Sequence, residues 1–391
     1  MSKWVEVPFS SLYGVPSKNG LMAPARVRGT GALLVNMREI FAFDVVSAQE
    51  MERAPLPEKN SESWVLRDGD LLFARQSLTR AGAGKVSLVH QPPEPMTFES
   101  HIIRVRLDET HSHSRFYYYL FRSAVGRRLI ETIVEQVAAA GIRASDLGKL
   151  RVPRPPLDEQ RRIAAALGAF DDLIEANRSL VTGLRDQASS AYARASANGT
   201  VIPFQDVADL VREGVRAADL RAGTPYIGLE HFDTDGGGLV GVGDAGQVDS
   251  NKTRFRIGDV LYGKLRPYFR KFDRPGFEGV CSTEIWVLRP QPGWGGGVVN
   301  AIVAGQTFTD FAMSGSSGTR MPRADWNYIR SMPVEVPPAA ARENIERILD
   351  QFWCAQVQLR DEIADLTRTR DELLPLLMSG RVRVEDVEGM F

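Results

Sequence analysis

Few stretches of the 391-residue sequence hold residues at spacings that could do chemistry, and most fail once the chemistry is specified. The run GAGKV, from Gly82 to Val86, hints at a phosphate loop. However, Thr79 stands where the first glycine of such a loop belongs, and Val86 replaces the hydroxyl residue that would hold magnesium. His111 and His113 are spaced like a metal pair, but only His90 and His101 lie nearby and the first half has no cysteine, so a surface loop is expected. The glycine triplets Gly236–Gly238 and Gly295–Gly297 are followed by no helical pattern and read as loops, not dinucleotide turns. An Asn-Pro-Pro-aromatic segment, a glycine-rich methyl-donor loop and a nuclease-like carboxylate cluster are all missing from the sequence. No metal site or catalytic residue is expected, and the chain does not read as an enzyme.

One segment carries a positive signal. RFRIGDVLYGKLRPYFRKFDR, from Arg254 to Arg274, sets seven basic residues against Asp259 and Asp273, with Phe255, Tyr262, Tyr268, Phe269 and Phe272 interleaved. Arginine and lysine neutralise phosphates, and arginine also addresses guanine edges with two hydrogen bonds. Taken alone, the segment could equally be a solvated β-hairpin with a core face. A counterpart in the first half carries Arg67, Arg75, Gln76, Arg80 and Lys85. Further basic residues, Arg143, Lys149, Arg151 and Arg154 in one half and Arg320, Arg323 and Arg330 in the other, precede two proline clusters. This recurrence favours nucleic acid. The candidate DNA-contacting residues are Arg75, Gln76, Arg80, Lys85 and Arg143, then Lys264, Arg266, Tyr268, Arg270, Lys271 and Arg320.

The elements that must position these residues come from an internal repeat. Pro155-Pro156 recurs as Pro337-Pro338, 182 residues later, and Ile163, Leu167 and Phe170 recur at the same offset as Ile345, Leu349 and Phe352. RDGDLLFAR (Arg67 to Arg75) returns as RIGDVLYGK at an offset of 189, and SHIIRVR (Ser100 to Arg106) returns as TEIWVLR at 183. VPFSSL recurs loosely as IPFQDV. Four matches in one order point to a tandem duplication. Each half begins with short β-like runs, such as GALLV, DLLFA, KVSLV and HIIRV, broken by turn residues, and ends in a long heptad-patterned helix. The expected fold is α+β: two globular β-rich domains, 1–152 and 199–334, separated by long antiparallel helices at 153–198 and, with a tail, at 335–391. The pairing seam is read as Ile163, Leu167, Phe170, Ile174 and Asn177 with Ile345, Leu349, Phe352, Leu359 and Ile363. Asn177 would fix register, and Gln356 or Arg370 could meet a polar partner across the seam. Pro375 is expected to kink or end the second helix about a turn early, with Gly380 as terminator. Leu173, Leu180 and Trp353 lie off the seam and would suit either a partner helix or the protein's own domains.

A net charge of −1 argues against a wholly nucleic-acid-binding surface but leaves room for basic patches. No run approaches the 18 apolar residues of a membrane span, and no apolar leader opens the sequence. Two cysteines make no disulfide framework and fit a reducing cytoplasm.

The segments GDLLFAR, RAGAGKVSLV, SHIIRVR and PRPPLDEQRRIAAALGAFDDLIEANRSLVTGL, with GDVLYGKLRPY, STEIWVLRP, SGTRMPRADW and LLPLLMSGRVRV, resemble the specificity subunits of Type I restriction–modification systems. The resemblance spans the duplicated layout. The second copy departs from it, since PPAAARENIERIL lacks the Glu-Gln pair of PPLDEQ. The resemblance implies a non-catalytic subunit whose two recognition domains read a bipartite site in double-stranded DNA. Its paired helices would act as spacer and docking surface for two methyltransferase subunits. Those subunits would bring S-adenosylmethionine, with none bound by this chain, and translocating restriction subunits would be further partners. A specificity-type subunit of another methylation-linked phage-defence system and a coiled-coil protein-binding scaffold remain as alternative readings.

Overall fold

A computed structural model of the chain describes residues 4–136, 140–234, 236–318 and 320–384. Two compact units emerge: Met1–Leu173 with Leu366–Phe391, and Ile174–Asp365. The tail beyond Val384, part of the last expected segment, lies outside the described residues.

In the first unit, β1 (Val5–Pro8) and β2 (Tyr13–Asn19) open the chain. β2 then joins β3 (Val45–Val46), β4 (Leu71–Ala74), β5 (Val86–Val89) and β6 (Ile102–Leu107) in a sheet of order β2-β6-β4-β5-β3. Ala32–Val35 lies between Glu52–Ala54 and Met96–Phe98 in a second sheet. The four β-like runs of the first half are therefore strands. β4 and β5 are buried at every position, which is why they show no alternation of apolar and polar residues. Helices α1 (Ser114–Arg122) and α2 (Ala124–Glu131) cover the larger sheet, and Phe116 through Phe121 all enter the core. β7 (Arg151–Arg154) returns to pair with β1, Val5 opposite Arg154, and hands the chain to α3 (Leu157–Ser196).

The second unit repeats this plan. β8 (Thr200–Pro203) is followed by β9 (Ala208–Val211), β10 (Val260–Gly263), β11 (Phe272–Asp273) and β12 (Ile285–Pro290), ordered β9-β12-β10-β11. α4 (Gly296–Ala304) and α5 (Gln306–Ser314) cover that sheet, and β13 (Pro333–Val336) pairs with β8 before α6 (Ala339–Met378).

Each repeated motif supplies one half of a buried ion pair. In the first unit Arg106 on β6 donates from Nε and Nη2 to the two carboxylate oxygens of Asp70, both at 2.7 Å, and the Arg67 amide donates to the same carboxylate at 2.8 Å. In the second unit Arg289 on β12 donates from Nε and Nη2 to Asp259, again at 2.7 Å, with the Arg256 amide at 2.9 Å. A buried carboxylate is tolerated only when it is paired and hydrogen-bonded, and each of these accepts three hydrogen bonds from the same kinds of donor in both units.

The proline entries of the long helices are also built alike. Asp158 and Glu159 occupy the first turn of α3, where the helix dipole favours acid. Gln160 is fully buried: its Nε2 reaches back to the carbonyls of Pro155 (2.9 Å) and His111 (3.2 Å), and its Oε1 accepts the His113 amide at 2.8 Å. This explains the glutamine of PPLDEQ. The second copy has Arg342 at the corresponding place. Its Nε makes the equivalent bond to the Pro337 carbonyl at 3.2 Å, and its guanidinium lies 4.0 Å from the Trp294 ring centre.

Within each unit the two long helices run antiparallel where they meet. The beginning of α3, with Ile163, Ala164 and Leu167, shares a core with the end of α6, with Leu377 and Met378. The end of α3, with Ala188 and Ala191, packs against the cluster holding Ile345 and Leu349 near the start of α6. Two expectations fail. Of the kink or early end expected at Pro375, the early end does not occur: α6 continues to Met378, since proline removes only its own amide donor and the chain after it still bonds back, Ser379 to the Pro375 carbonyl at 3.2 Å. Gly380, in the left-handed region at φ 65°, then ends it, its amide donating to the Leu377 carbonyl at 3.1 Å. Gly295–Gly297 is not a loop but the start of α4. The missing signal is long-range: the Glu346 carboxylate of α6 accepts the amides of Gly297 (2.7 Å) and Val298 (3.0 Å), capping α4 from outside its own sequence. Glycine is needed there, since a Cβ on Gly297 would lie 2.7 Å from the Leu349 Cβ and one on Gly296 would lie 2.5 Å from the Gly258 carbonyl oxygen.

Breaking the ion pair should test its structural weight. Asp70→Asn is expected to cost about 3 kcal/mol, as it strands a largely buried arginine. Asp259→Asn should cost less, because the Arg289 side chain is 34% exposed against 17% for Arg106 and keeps more water. Urea unfolding of the two variants checks this; an equal or reversed order would contradict it.

Candidate nucleic-acid interface

The candidate loops leave the sheets at equivalent points, immediately after the strands that follow the buried aspartates. In the first unit β4 leads into residues 75–85. Gln76–Ser77 form a short strand against Ala140–Gly141, and the Arg75 carbonyl accepts the Ile142 amide at 2.9 Å. The loop is braced from within and from behind. Ser77 Oγ accepts the Thr79 amide at 3.1 Å, the Gly82 amide donates to Thr79 Oγ1 at 3.2 Å, and Arg127 of α2 donates to the carbonyls of Ala81 (2.9 Å) and Ala83 (3.2 Å). Arg80 donates to the Glu131 carbonyl and Lys85 to the Phe41 carbonyl. The Glu131 carbonyl is neutral and no carboxylate faces Arg80 among the described residues, whereas Lys85 also lies 3.9 Å from the Asp44 carboxylate and is partly offset by it. Arg143 differs, as Glu135 compensates it at 2.6 Å.

In the second unit β10 leads into residues 264–271. The Lys264 amide donates to Glu284 and its carbonyl accepts from Ala324, while the Arg266 amide donates to the Pro322 carbonyl at 2.7 Å. Arg266 and Arg270 both adopt left-handed backbone, at φ 51° and 50°, on either side of a single 3-10 turn, Pro267–Phe269. Each such non-glycine residue costs on the order of 1–2 kcal/mol, and strain of this kind collects at functional sites. The turn presents Tyr268, 43% exposed, beside Phe269, with ring centres 4.6 Å apart. Arg270 donates to the Ala304 carbonyl and Lys271 to the Leu229 carbonyl, again leaving their charge uncompensated. Among the described residues no hydrogen bond or ion pair ties down the side chains of Lys264 or Arg320.

Three arginines of the same basic segment serve other ends. Arg254 and Arg256 both face Glu213, at 3.4 and 3.1 Å. Arg274 pairs with Asp350 of α6 at 2.6 Å and lies 4.1 Å from the Trp353 ring centre, while Trp353 Nε1 donates to the Arg274 carbonyl at 2.8 Å. Trp353 is thus occupied by its own unit and is not free for a partner helix. Asp273 next to it accepts Arg360 of α6 at 2.7 Å and the Leu239 amide at 2.7 Å. Arg185 of α3 donates to the Gly236 carbonyl at 3.1 Å, and burial, together with nearby Arg360, lowers its pKa. The residues that end the basic loop are therefore bolted to the long helices of the unit.

Of the seam residues, Ile163, Leu167, Phe170, Ile174, Asn177, Ile345 and Leu349 are buried, whereas Phe352, Leu359 and Ile363 are half-buried. Asn177 Nδ2 is buried without a hydrogen-bond partner. Arg370 has the polar partner expected of it: its Nη1 donates to Asp171 of α3 at 2.7 Å, and Tyr119 donates to the other oxygen of that carboxylate at 2.6 Å. Gln356 lines a cavity of about 320 Å³ with Arg185, Arg270 and Asn300. Burial pushes the Cys281 thiol up to about 12, which leaves it protonated and un-nucleophilic. Among the described residues no cluster of histidine, cysteine, aspartate or glutamate is placed to hold a metal ion, and no helix is long and apolar enough to cross a membrane.

Comparison with known proteins shows what this chain is similar to. Residues 43–182 match the model of the family described as Type I restriction modification DNA specificity domain. The chain is 24% identical over 148 residues to the Type I restriction enzyme EcoDI specificity subunit of Escherichia coli. It is 29% identical over 107 residues to a putative Type I restriction enzyme MjaX specificity subunit of Methanocaldococcus jannaschii. The matched stretches cover 35% and 27% of this chain, but only 32% and 25% of those relatives' lengths. In fold, the chain is similar to the crystal structure of a Type I restriction–modification S subunit from M. genitalium, with a TM-score of 0.60, 16% identity and 96% of each chain covered. The resemblance read from the sequence is borne out: residues 43–182 match the Type I specificity domain model, and about a third of the chain is similar to a Type I specificity subunit.

The strained loop yields a prediction. Arg266 Nε is buried without a partner and its backbone is left-handed, so Arg266→Asn, which tolerates that backbone, should raise stability by about 0.5–1 kcal/mol in thermal unfolding. A loss of more than about 1 kcal/mol would show that the guanidinium is there to hold the fold.

Proposed function

We propose that this chain is a non-catalytic specificity subunit that reads a bipartite site in double-stranded DNA and directs methyltransferase subunits to it. The observation that carries the reading is the recurrence, in both units, of a strand pinned by an aspartate–arginine pair and running directly into a loop rich in basic residues, of which Lys85 alone has a carboxylate, Asp44, within 4 Å among the described residues. Arg75, Gln76, Arg80 and Lys85 would contact one half-site, with Arg143 at the margin because Glu135 offsets it. Lys264, Arg266, Tyr268, Arg270, Lys271 and Arg320 would contact the other. The specificity-domain match at residues 43–182 supports the same reading. The recognition domains are assigned to about 1–152 and 199–334. Chemistry would belong to two partner methyltransferase subunits in the cytoplasm, which carry S-adenosylmethionine, and translocating restriction subunits would join that assembly. Leu173 and Leu180 of α3 are 46% and 55% exposed, which supports a partner covering this helix.

Co-expression with a methyltransferase subunit should yield a complex of two methyltransferase chains to one of this chain. Removing the charges with Lys264→Gln, Arg266→Gln and Arg270→Gln together should weaken duplex binding by that complex and flatten its salt dependence by roughly 0.9 log–log unit per lost phosphate contact. Wild-type affinity and slope in the triple variant would reject this loop as a DNA contact. A chain that binds specific DNA alone and captures no methyltransferase would reject the partnership.

A further inference from the structure

Among the large apolar side chains reported as exposed, Leu78 stands furthest into solvent, at 96% exposure. It occupies the tip of the first basic loop, between Gln76 and Arg80 and close to Arg75. Its position is fixed, because the Ser77–Thr79–Gly82 hydrogen bonds and the Arg127 brace hold the backbone on both sides. Leu78 is therefore an apolar group held out on a braced, basic loop, with the exposed Phe41 packed behind that loop beside Gly82. A patch for a protein partner would need several apolar neighbours, whereas the residues adjoining Leu78 in sequence, Gln76, Ser77, Thr79 and Arg80, are polar and the loop's other exposed apolar neighbour is Phe41, beside Gly82.

Resting on the DNA-reading function above, we propose that Leu78 is a specificity-determining residue that reads the C5-methyl of a thymine in the major groove. The argument is chemical. Most of what the grooves of DNA offer is hydrogen-bonding edge, and the apolar feature that distinguishes one base pair from the others is the thymine methyl. The flanking arginines anchor the loop on phosphates or guanine edges, and Leu78 then meets the base pair next to them. At the equivalent point of the second unit the exposed tip is Tyr268, between the left-handed Arg266 and Arg270, so the two loops present different groups to their half-sites.

The test uses the full chain in complex with its methyltransferase. The probe is the duplex that the methylation map of an expressing host assigns, with each thymine replaced in turn by deoxyuridine, which removes only the methyl. One replacement should weaken the wild-type complex about fourfold, the equivalent of about 0.8 kcal/mol for one buried methyl. Leu78→Ala should bind the unmodified duplex several-fold more weakly and no longer distinguish thymine from deoxyuridine at that position, whereas Leu78→Met should keep the distinction. Because the side chain is exposed, thermal unfolding of both variants should match the wild type. The proposal is overturned if the wild type is indifferent to every replacement, if Leu78→Ala retains the fourfold preference, or if neither half-site contains thymine on either strand. Failure of the complex to bind any duplex sequence-specifically is a different result, which overturns the DNA-reading function itself.

Discussion

The buried aspartate–arginine pair is the constraint on which the rest of each unit depends. A carboxylate removed from water is unfavourable unless it is paired and hydrogen-bonded, and here one guanidinium and one backbone amide give it three hydrogen bonds in the same way twice. The bidentate geometry fixes β4 against β6 and β10 against β12 in position and in register. Since the chain leaves β4 and β10 directly into the basic loops, the pair also sets where those loops begin. The loops are then shaped by their own cations. Arg80, Arg270 and Lys271 donate to neutral carbonyls, which orders the backbone without cancelling the charge, while Lys85 donates to a carbonyl and is partly offset by Asp44.

Much of this was legible in the sequence, because duplication makes local patterns appear twice. The motif offsets of 189 and 183 residues, seen only as repeats, turn out to hold the aspartate and the arginine of the same ion pair. The long helices were legible from their heptads and proline entries, and the strands from short apolar runs. What stayed hidden depends on contacts distant in sequence. The helix at Gly296–Ala304 has no cap of its own, as Glu346 supplies it; burial raises the pKa of that carboxyl while the two amides it accepts pull it back. Trp353 could be read either way, toward a partner helix or its own domain, because Arg274, which it covers, lies 79 positions away. Local rules expect Pro375 to kink or end the helix a turn early, and the helix instead runs three residues past it.

The candidate site was legible as a composition of basic and aromatic residues but not as an allocation. Position along the chain does not distinguish Arg254, Arg256 and Arg274, which face carboxylates, from Lys264, which faces none. Nor does it reveal that Arg266 and Arg270 are held left-handed, or that Leu78 stands clear of the loop that carries it. The second copy's loss of the Glu-Gln pair, seen as a departure from the family pattern, proves to be a substitution of one anchor for another, with Arg342 reaching back to the proline carbonyl as Gln160 does. The two units thus keep one framework and differ in what they present, as two heads reading different half-sites of an asymmetric sequence would.

The most direct measurement of that account is a genome-wide map of methylated bases in the host with the gene intact, deleted and restored. The account predicts that one bipartite motif, two unlike half-sites at a fixed gap, loses its methylation on deletion and regains it on restoration while all other methylation is unchanged. Identical maps in all three strains would contradict it.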